Sequence, residues 1–182
     1  KDYFIRYNRF WPPGRPTEED LSKVYTRKPR PPFLEVEFAD RGREKVWCTF
    51  DYEQIDLDLS RPETRRFIGE QLRKLCERGA RVIRLDAVGY TTKRPGTNCF
   101  FLEPEIWEYL AFICEEVSGY DVELLPEVHE HYALQLALAE KGYWVYDFAL
   151  PMLLLQALYD GNTKNLKRWL GMCPRKQITT LD

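Results

Sequence analysis

From about residue 60 onward, short apolar runs alternate with segments of helical period, and this alternation confines the chain to α/β folds. Residues 62–78 repeat Phe67, Ile68, Leu72, Leu75 and Cys76 at helical spacing and stop at Gly79. Residues 81–87 (RVIRLDA) read as a strand. Residues 104–117 read as a helix with Ile106, Leu110, Ile113 and Cys114 on one face. A strand at 122–127, a helix at 132–141 closed by Gly142, and a strand at 143–148 follow. Helices at 152–159 and 165–170 break around Asp160-Gly161, and 177–182 reads as a last strand. Strands joined through helices lie parallel with right-handed crossovers, and runs with so little polar alternation predict a sheet covered on both faces. About four parallel strands make half of a (β/α)8 TIM barrel, which needs about 250 residues. An open doubly wound sheet is the other α/β solution, although the GxGxxG and GxxxxGK[ST] loops that favour it are absent. The expectation is a piece of a larger domain, in keeping with a first residue, Lys1, that is not Met.

The first 50 residues have a different character. Pro12-Pro13-Gly14 and Arg27-Lys28-Pro29-Arg30-Pro31-Pro32 forbid long helices and central strands. One short helix is predicted at 17–24, with Thr17 as cap and Asp20 three residues on. Strands at 34–38 and 45–50 flank a turn at Asp40-Arg41-Gly42. The division expected is a small, loop-rich inserted subdomain over 1–55 and a partial barrel over 56–182.

Charge narrows the function. Lys and Arg total 27 and Asp and Glu 29 in 182 residues, a formal net charge of −2. No basic excess exists to neutralise phosphates, so nucleic acid is not an expected partner. Aromatics reach 14%, so many rings are buried or line a ligand surface. The longest near-continuous apolar run, 148–155, falls far short of the roughly 20 residues that cross a bilayer, and no membrane is expected. Five cysteines without a CxxC pair argue against a disulfide framework or zinc knuckle and for a reducing, cytoplasmic compartment.

The acids sit at strand ends. Residues i and i+2 of a strand share a face, so Arg84 and Asp86 point the same way, and a guanidinium beside a carboxylate keeps it ionised, as a nucleophile requires. Glu127 follows the apolar Leu124-Leu125-Pro126, where desolvation raises a carboxyl pKa, as a general acid requires. Two such carboxylates can flank one glycosidic bond. The competing readings are a helix cap for each acid and a plain ion pair for Arg84 and Asp86. Glu127, His129 and His131 share a face if extended, but the spacing is not HExxH and no third His or Cys lies close, so no metal is expected; His129 suits a hydrogen bond to a substrate hydroxyl. Arg27, Lys28 and Arg30 form either a solvated basic loop or an anion site. Phe50, Tyr90 and Phe100-Phe101 are either core or a platform on which sugar C–H faces stack.

The stretches IRLDAVGYTTKRPGTNCFFLEPEIW, LLPEVHEHY, YDFALPMLLLQALY and PRKQITTLD together resemble the sucrose phosphorylase group of the α-amylase-type glycoside hydrolase family. The likeness extends over nearly the whole chain, with the first 50 residues resembling that group's small inserted domain and the rest resembling barrel strands four to seven. It implies retaining glucosyl transfer by double displacement, from sucrose or a similar α-glucoside to inorganic phosphate, with no cofactor. Related members would use glucosylglycerol, glucosylglycerate or sucrose 6-phosphate. By the family's RxD motif Asp86 is implied as nucleophile with Arg84 beside it, and by the strand-five motif Glu127 as acid and then base. His129 and Tyr90 match positions lining the glucosyl site, Phe50 an acceptor-side aromatic, and Lys28 the region presenting a basic residue to phosphate. The family's third carboxylate, in a His-Asp pair, would come just after Asp182. The chain alone is therefore expected to be inactive, to need the rest of the barrel or an oligomeric partner, or else to be a non-catalytic split or truncated piece.

Overall fold

The computed structural model describes residues 3–11, 16–40 and 42–174. They form two compact units, Lys1–Glu77 with Gly89–Gly119, and Arg78–Val88 with Tyr120–Asp182. This division differs from the compositional change near residue 55, because the first unit gathers the proline-rich segment together with two long helices.

In the first unit, a short α1 (Tyr7–Phe10) precedes α2 (Glu18–Lys23). Thr17 caps α2 reciprocally: its Oγ1 accepts from the Asp20 N–H at 3.1 Å, and the Asp20 carboxylate accepts from the Thr17 N–H at 3.0 Å. The strands β1 (Phe33–Phe38) and β2 (Gly42–Trp47) form an antiparallel hairpin with Phe33 opposite Trp47. Gly42 has φ +76°, which its missing Cβ permits. Arg41 of the expected turn lies outside the described residues. β2 stops three residues earlier than 50, because the Thr49 N–H leaves the ladder and donates to the Asp56 carboxylate at 2.8 Å. Ile5, Val24, Trp47 and Cys99 are buried together, with Phe10 and Phe33 packed against them. Ring centroids of Phe33 and Phe10 lie 4.7 and 5.1 Å from that of Trp47, so part of the aromatic content is core.

Two helices complete this unit, α3 (Pro62–Glu77) and α4 (Glu105–Val117). An Arg73–Glu116 ion pair joins them. Ile106, Leu110 and Ile113 of α4 are buried as their spacing predicts. On α3, Leu72 and Cys76 are buried, while Leu75 is exposed and Phe67 stacks on Tyr3 at 5.4 Å.

The second unit is built around β3 (Val82–Leu85) and β4 (Glu123–Pro126), paired in parallel with Val82 opposite Glu123 and Leu85 opposite Pro126. Ile83, Leu124 and Leu125 are buried, but Val82 and Arg84 are exposed, so β3 is not covered on both faces. Among the described residues this is the one parallel pair. The strand expected at 143–148 is reduced to a single bridge residue, Tyr146. Trp144 donates its N–H to the Leu124 carbonyl at 3.0 Å, so the segment runs beside β4, and then the buried Asp147 carboxylate accepts the N–H groups of Ala149 and Leu150 and starts a helix instead. The strand expected at 177–182 lies outside the described residues.

Three helices follow the parallel pair: α5 (Tyr132–Glu140), α6 (Ala149–Asp160) and α7 (Lys164–Met172). α6 starts three residues before the expected 152; Pro151 falls in its first turn, where no intrahelical N–H is needed. Gly161, at φ +62°, ends it. Trp169 of α7 is buried and donates Nε1–H to Asp147 at 2.9 Å. Met152, Leu155, Leu158 and Tyr159 of α6 are exposed. Among the described residues no helix is long and apolar enough to cross a membrane.

Candidate active site

The ends of β3 and β4 bring Arg84, Asp86, Glu127 and His129 together. The Glu127 N–H donates to the Leu85 carbonyl at 3.0 Å, which extends the parallel ladder by one residue and fixes where its side chain emerges. Arg84 spans both acids: one amino group meets the Asp86 carboxylate and the other meets Glu127 Oε1 at 2.8 Å. Glu127 Oε1 also lies 3.2 Å from His129 Nε2, and Glu127 Oε2 accepts the Ala87 N–H at 3.1 Å. Ala87 has φ +49°, a left-handed conformation that costs a non-glycine residue of order 1–3 kcal/mol. That turn is what aims its N–H at Glu127.

Burial pushes the Glu127 carboxyl up, as the apolar approach predicts, but the net direction is below its ordinary value. The Ala87 N–H, the Arg84 guanidinium, His129 and Asp86 together outweigh burial. The expected raised carboxyl is thus corrected: all four groups lie outside the strand that leads to Glu127, so its apolar neighbours do not decide. Arg84 is held above its ordinary value by Asp86 and Glu127 against the opposing effect of burial. Two further residues complete this side. Tyr146 lies under the Arg84 guanidinium at 6.0 Å, and Phe148 packs on the His129 ring at 4.0 Å. Neither was singled out from sequence, although both lie in the YDFALP stretch. His131 does not join Glu127; its Nδ1 accepts the Ala133 N–H at 3.3 Å and caps α5. Among the described residues no cluster of three His, Cys, Asp or Glu could hold a metal ion.

Tyr90, Phe50 and Lys28 belong to the first unit. Tyr90 meets the rings of Phe100 at 4.8 Å and Phe50 at 5.5 Å and stacks on Tyr25 at 6.1 Å. Burial pushes its phenol up to about 12, with the Arg27 cation opposing, so its hydroxyl keeps its proton at neutral pH. Lys28 is engaged elsewhere, with Asp51 at 2.7 Å. Arg30 donates to the Phe50 carbonyl at 3.1 Å. The basic loop is therefore neither free nor uniform: Asp51 partners Lys28, and Arg27 is the cation turned to Tyr90.

Over all 182 residues the chain is 47% identical to a sucrose phosphorylase of Streptococcus mutans, of which it covers 38%. It is 40% identical over 181 residues to a glucosylglycerol phosphorylase of Marinobacter adhaerens, of which it covers 37%. The crystal structure of a sucrose 6F-phosphate phosphorylase from Thermoanaerobacter thermosaccharolyticum superposes at TM-score 0.91 and 38% identity, over 99% of this chain and 37% of that one. The chain is a homologue of the sucrose phosphorylase group. It spans under two-fifths of the length of these relatives, and its fold is the matching part of a TIM barrel. A trehalose-6-phosphate hydrolase of Bacillus licheniformis shares that fold at TM-score 0.61 and 17% identity over 82% of the chain. No family model matches. Arg84, Asp86 and Glu127, the residues singled out in the sequence, converge at the ends of β3 and β4.

Proposed function

We propose that the protein is a retaining phosphorylase that moves a glucosyl unit from sucrose, or a closely related α-glucoside, to inorganic phosphate without a cofactor. The observation that carries this reading is the single guanidinium of Arg84 bridging Asp86 and Glu127. Asp86 is the more exposed acid and attacks the anomeric carbon; Glu127 protonates the departing oxygen. The roles then reverse: phosphate attacks the glucosyl carbon, Glu127 takes the phosphate proton, and the bond to Asp86 breaks. Glu127 must be protonated for the first step, yet the arrangement described holds it ionised. A sugar that displaces Arg84 or His129 from Glu127 and excludes water removes lowering influences and leaves burial dominant. The resemblance assigns His129 and Tyr90 to the glucosyl unit and Phe50 to the leaving or accepting group. Phosphate meets Arg27 and the Tyr90 hydroxyl, with Lys28 contributing once it leaves Asp51.

The relatives' names keep sucrose, glucosylglycerol and sucrose 6-phosphate in play as donors, and glucosylglycerate joins them. We assign 1–55 to the small inserted subdomain, 56–182 to the barrel, and the protein to the cytoplasm. The test is trapping of the full-length protein with a 2-fluoro-glucosyl donor. The peptide containing Asp86 should gain the mass of one fluoroglucosyl group; labelling elsewhere, or none, overturns the reading. Release of glucose 1-phosphate from a donor panel then identifies the substrate.

A further inference from the structure

Lys93 is a buried cation that the proposed chemistry does not use. Its side chain is 3% exposed. The ammonium meets Asp56 at 2.8 Å and Thr49 Oγ1 at 3.4 Å, donates to the Tyr90 carbonyl, and lies 4.8 Å from the centre of the Trp47 ring. A buried ion pair is poor evidence of a stability role, since apolar residues of similar volume often serve as well. Asp56 does not need Lys93 to be satisfied, because it already accepts the Thr49 N–H at 2.8 Å and the Thr49 hydroxyl at 2.6 Å. What Lys93 adds is a tie between two segments. One is the loop of Thr49 and Asp56, next in sequence to Phe50; the other is the single turn Val88–Thr91 that carries Tyr90, whose carbonyl it caps. The Phe50 and Tyr90 rings meet edge to face across that tie.

We propose that Lys93, seated on Asp56, is a positioning residue that holds Phe50 and Tyr90 as one wall of the acceptor site and so sets phosphate affinity. This rests on the phosphorylase reading. A single charge-assisted bond is worth about one to two powers of ten in an equilibrium constant, so its loss should raise the KM for phosphate about tenfold or more. The glucosyl-enzyme is formed by Asp86, Glu127 and Arg84, none of which touches Lys93, so the ratio of phosphate-dependent to water-dependent donor cleavage should fall.

The experiment compares wild type with Lys93→Met, Lys93→Met/Asp56→Asn and Asp56→Asn in the full-length protein. It reads phosphate KM, glucose release without phosphate, and deuterium uptake of peptides covering 88–93. The expected result is a raised KM, a lowered phosphorolysis-to-hydrolysis ratio and faster uptake at 88–93 in both Lys93 variants. Asp56→Asn, whose one amide oxygen can still accept the Thr49 N–H, should shift in the same direction but less. The double variant supplies the answer where Lys93→Met leaves the Asp56 charge without a counter-ion and fails to fold. Equal losses in both activities, or an unchanged KM, overturn the proposal. If wild type makes no glucose 1-phosphate from any donor, the phosphorylase reading fails instead; unchanged uptake at 88–93 then overturns the hold of Lys93 on that turn, and faster uptake supports it.

Discussion

Glu127 receives the Ala87 N–H, the Arg84 guanidinium and His129 on two oxygens, and its carboxyl titrates below its ordinary value despite partial burial. Because folding depresses this pKa, the folded chain binds fewer protons here than the unfolded one. The contribution to stability is complete above the unfolded carboxyl value of about 4.3 and is lost as pH falls through the lower folded value. Denaturation midpoints of wild type and Glu127→Gln, measured from about pH 6 to about pH 3, should therefore converge in acid. That Asp86 and Glu127 meet was legible in the sequence, since both close a strand. The direction of the Glu127 shift was not, because it is set by a backbone amide in a left-handed turn and by a cation from the neighbouring strand. Lys28 offers the same lesson: its charge is plain in the sequence, and its partner Asp51 lies 23 residues away.

At the level of elements, glycine positions separate tolerance from collision. A Cβ on Gly89 would come within 2.7 Å of the Phe100 ring, a packed aromatic that also touches Tyr90. A Cβ on Gly69 would meet the Glu116 carboxylate at 2.6 Å, the far end of a flexible side chain. Gly89→Ala should cost about 1–3 kcal/mol by overpacking, while Gly69→Ala should cost less; urea denaturation of the two variants checks the order. Asp147 joins the start of α6 to Trp169 of α7. Asp147→Ala removes a helix cap and strands a buried indole N–H, a loss of about 2–4 kcal/mol by the same measurement. Helix ends were readable because Gly79, Gly142 and Gly161 adopt positive φ where the periodic pattern stops. The segment 143–148 keeps one bridge residue and one bond to β4 where a full strand is expected, because apolar content alone does not distinguish a strand from an extended lead-in to a capped helix.

For the whole molecule, the alternation of strand and helix was enough to limit the fold to parallel α/β, and length arithmetic to part of a barrel. What a linear pattern could not supply was the pairing, since β3 and β4 meet across an intervening stretch that includes α4. α6 has no buried residue and exposes Leu158 at 81% and Tyr159 at 94%. Surface of that kind marks an interaction face or an aggregation liability. The 182-residue chain by itself should bind a hydrophobic dye and scatter light, and Leu155→Lys with Leu158→Lys should reduce both. Donor turnover by the 182-residue chain should be undetectable.

One peptide plane, between Asp86 and Ala87, has the first acid's own carbonyl at one end and, at the other, the amide that grips the second acid. If Glu127 lets go of that amide, the plane loses its anchor on one side and can rotate, carrying residue 86 with it. Glycine at 87, which relieves the strain of the left-handed turn, would free this plane and slacken the hold of its amide on Glu127.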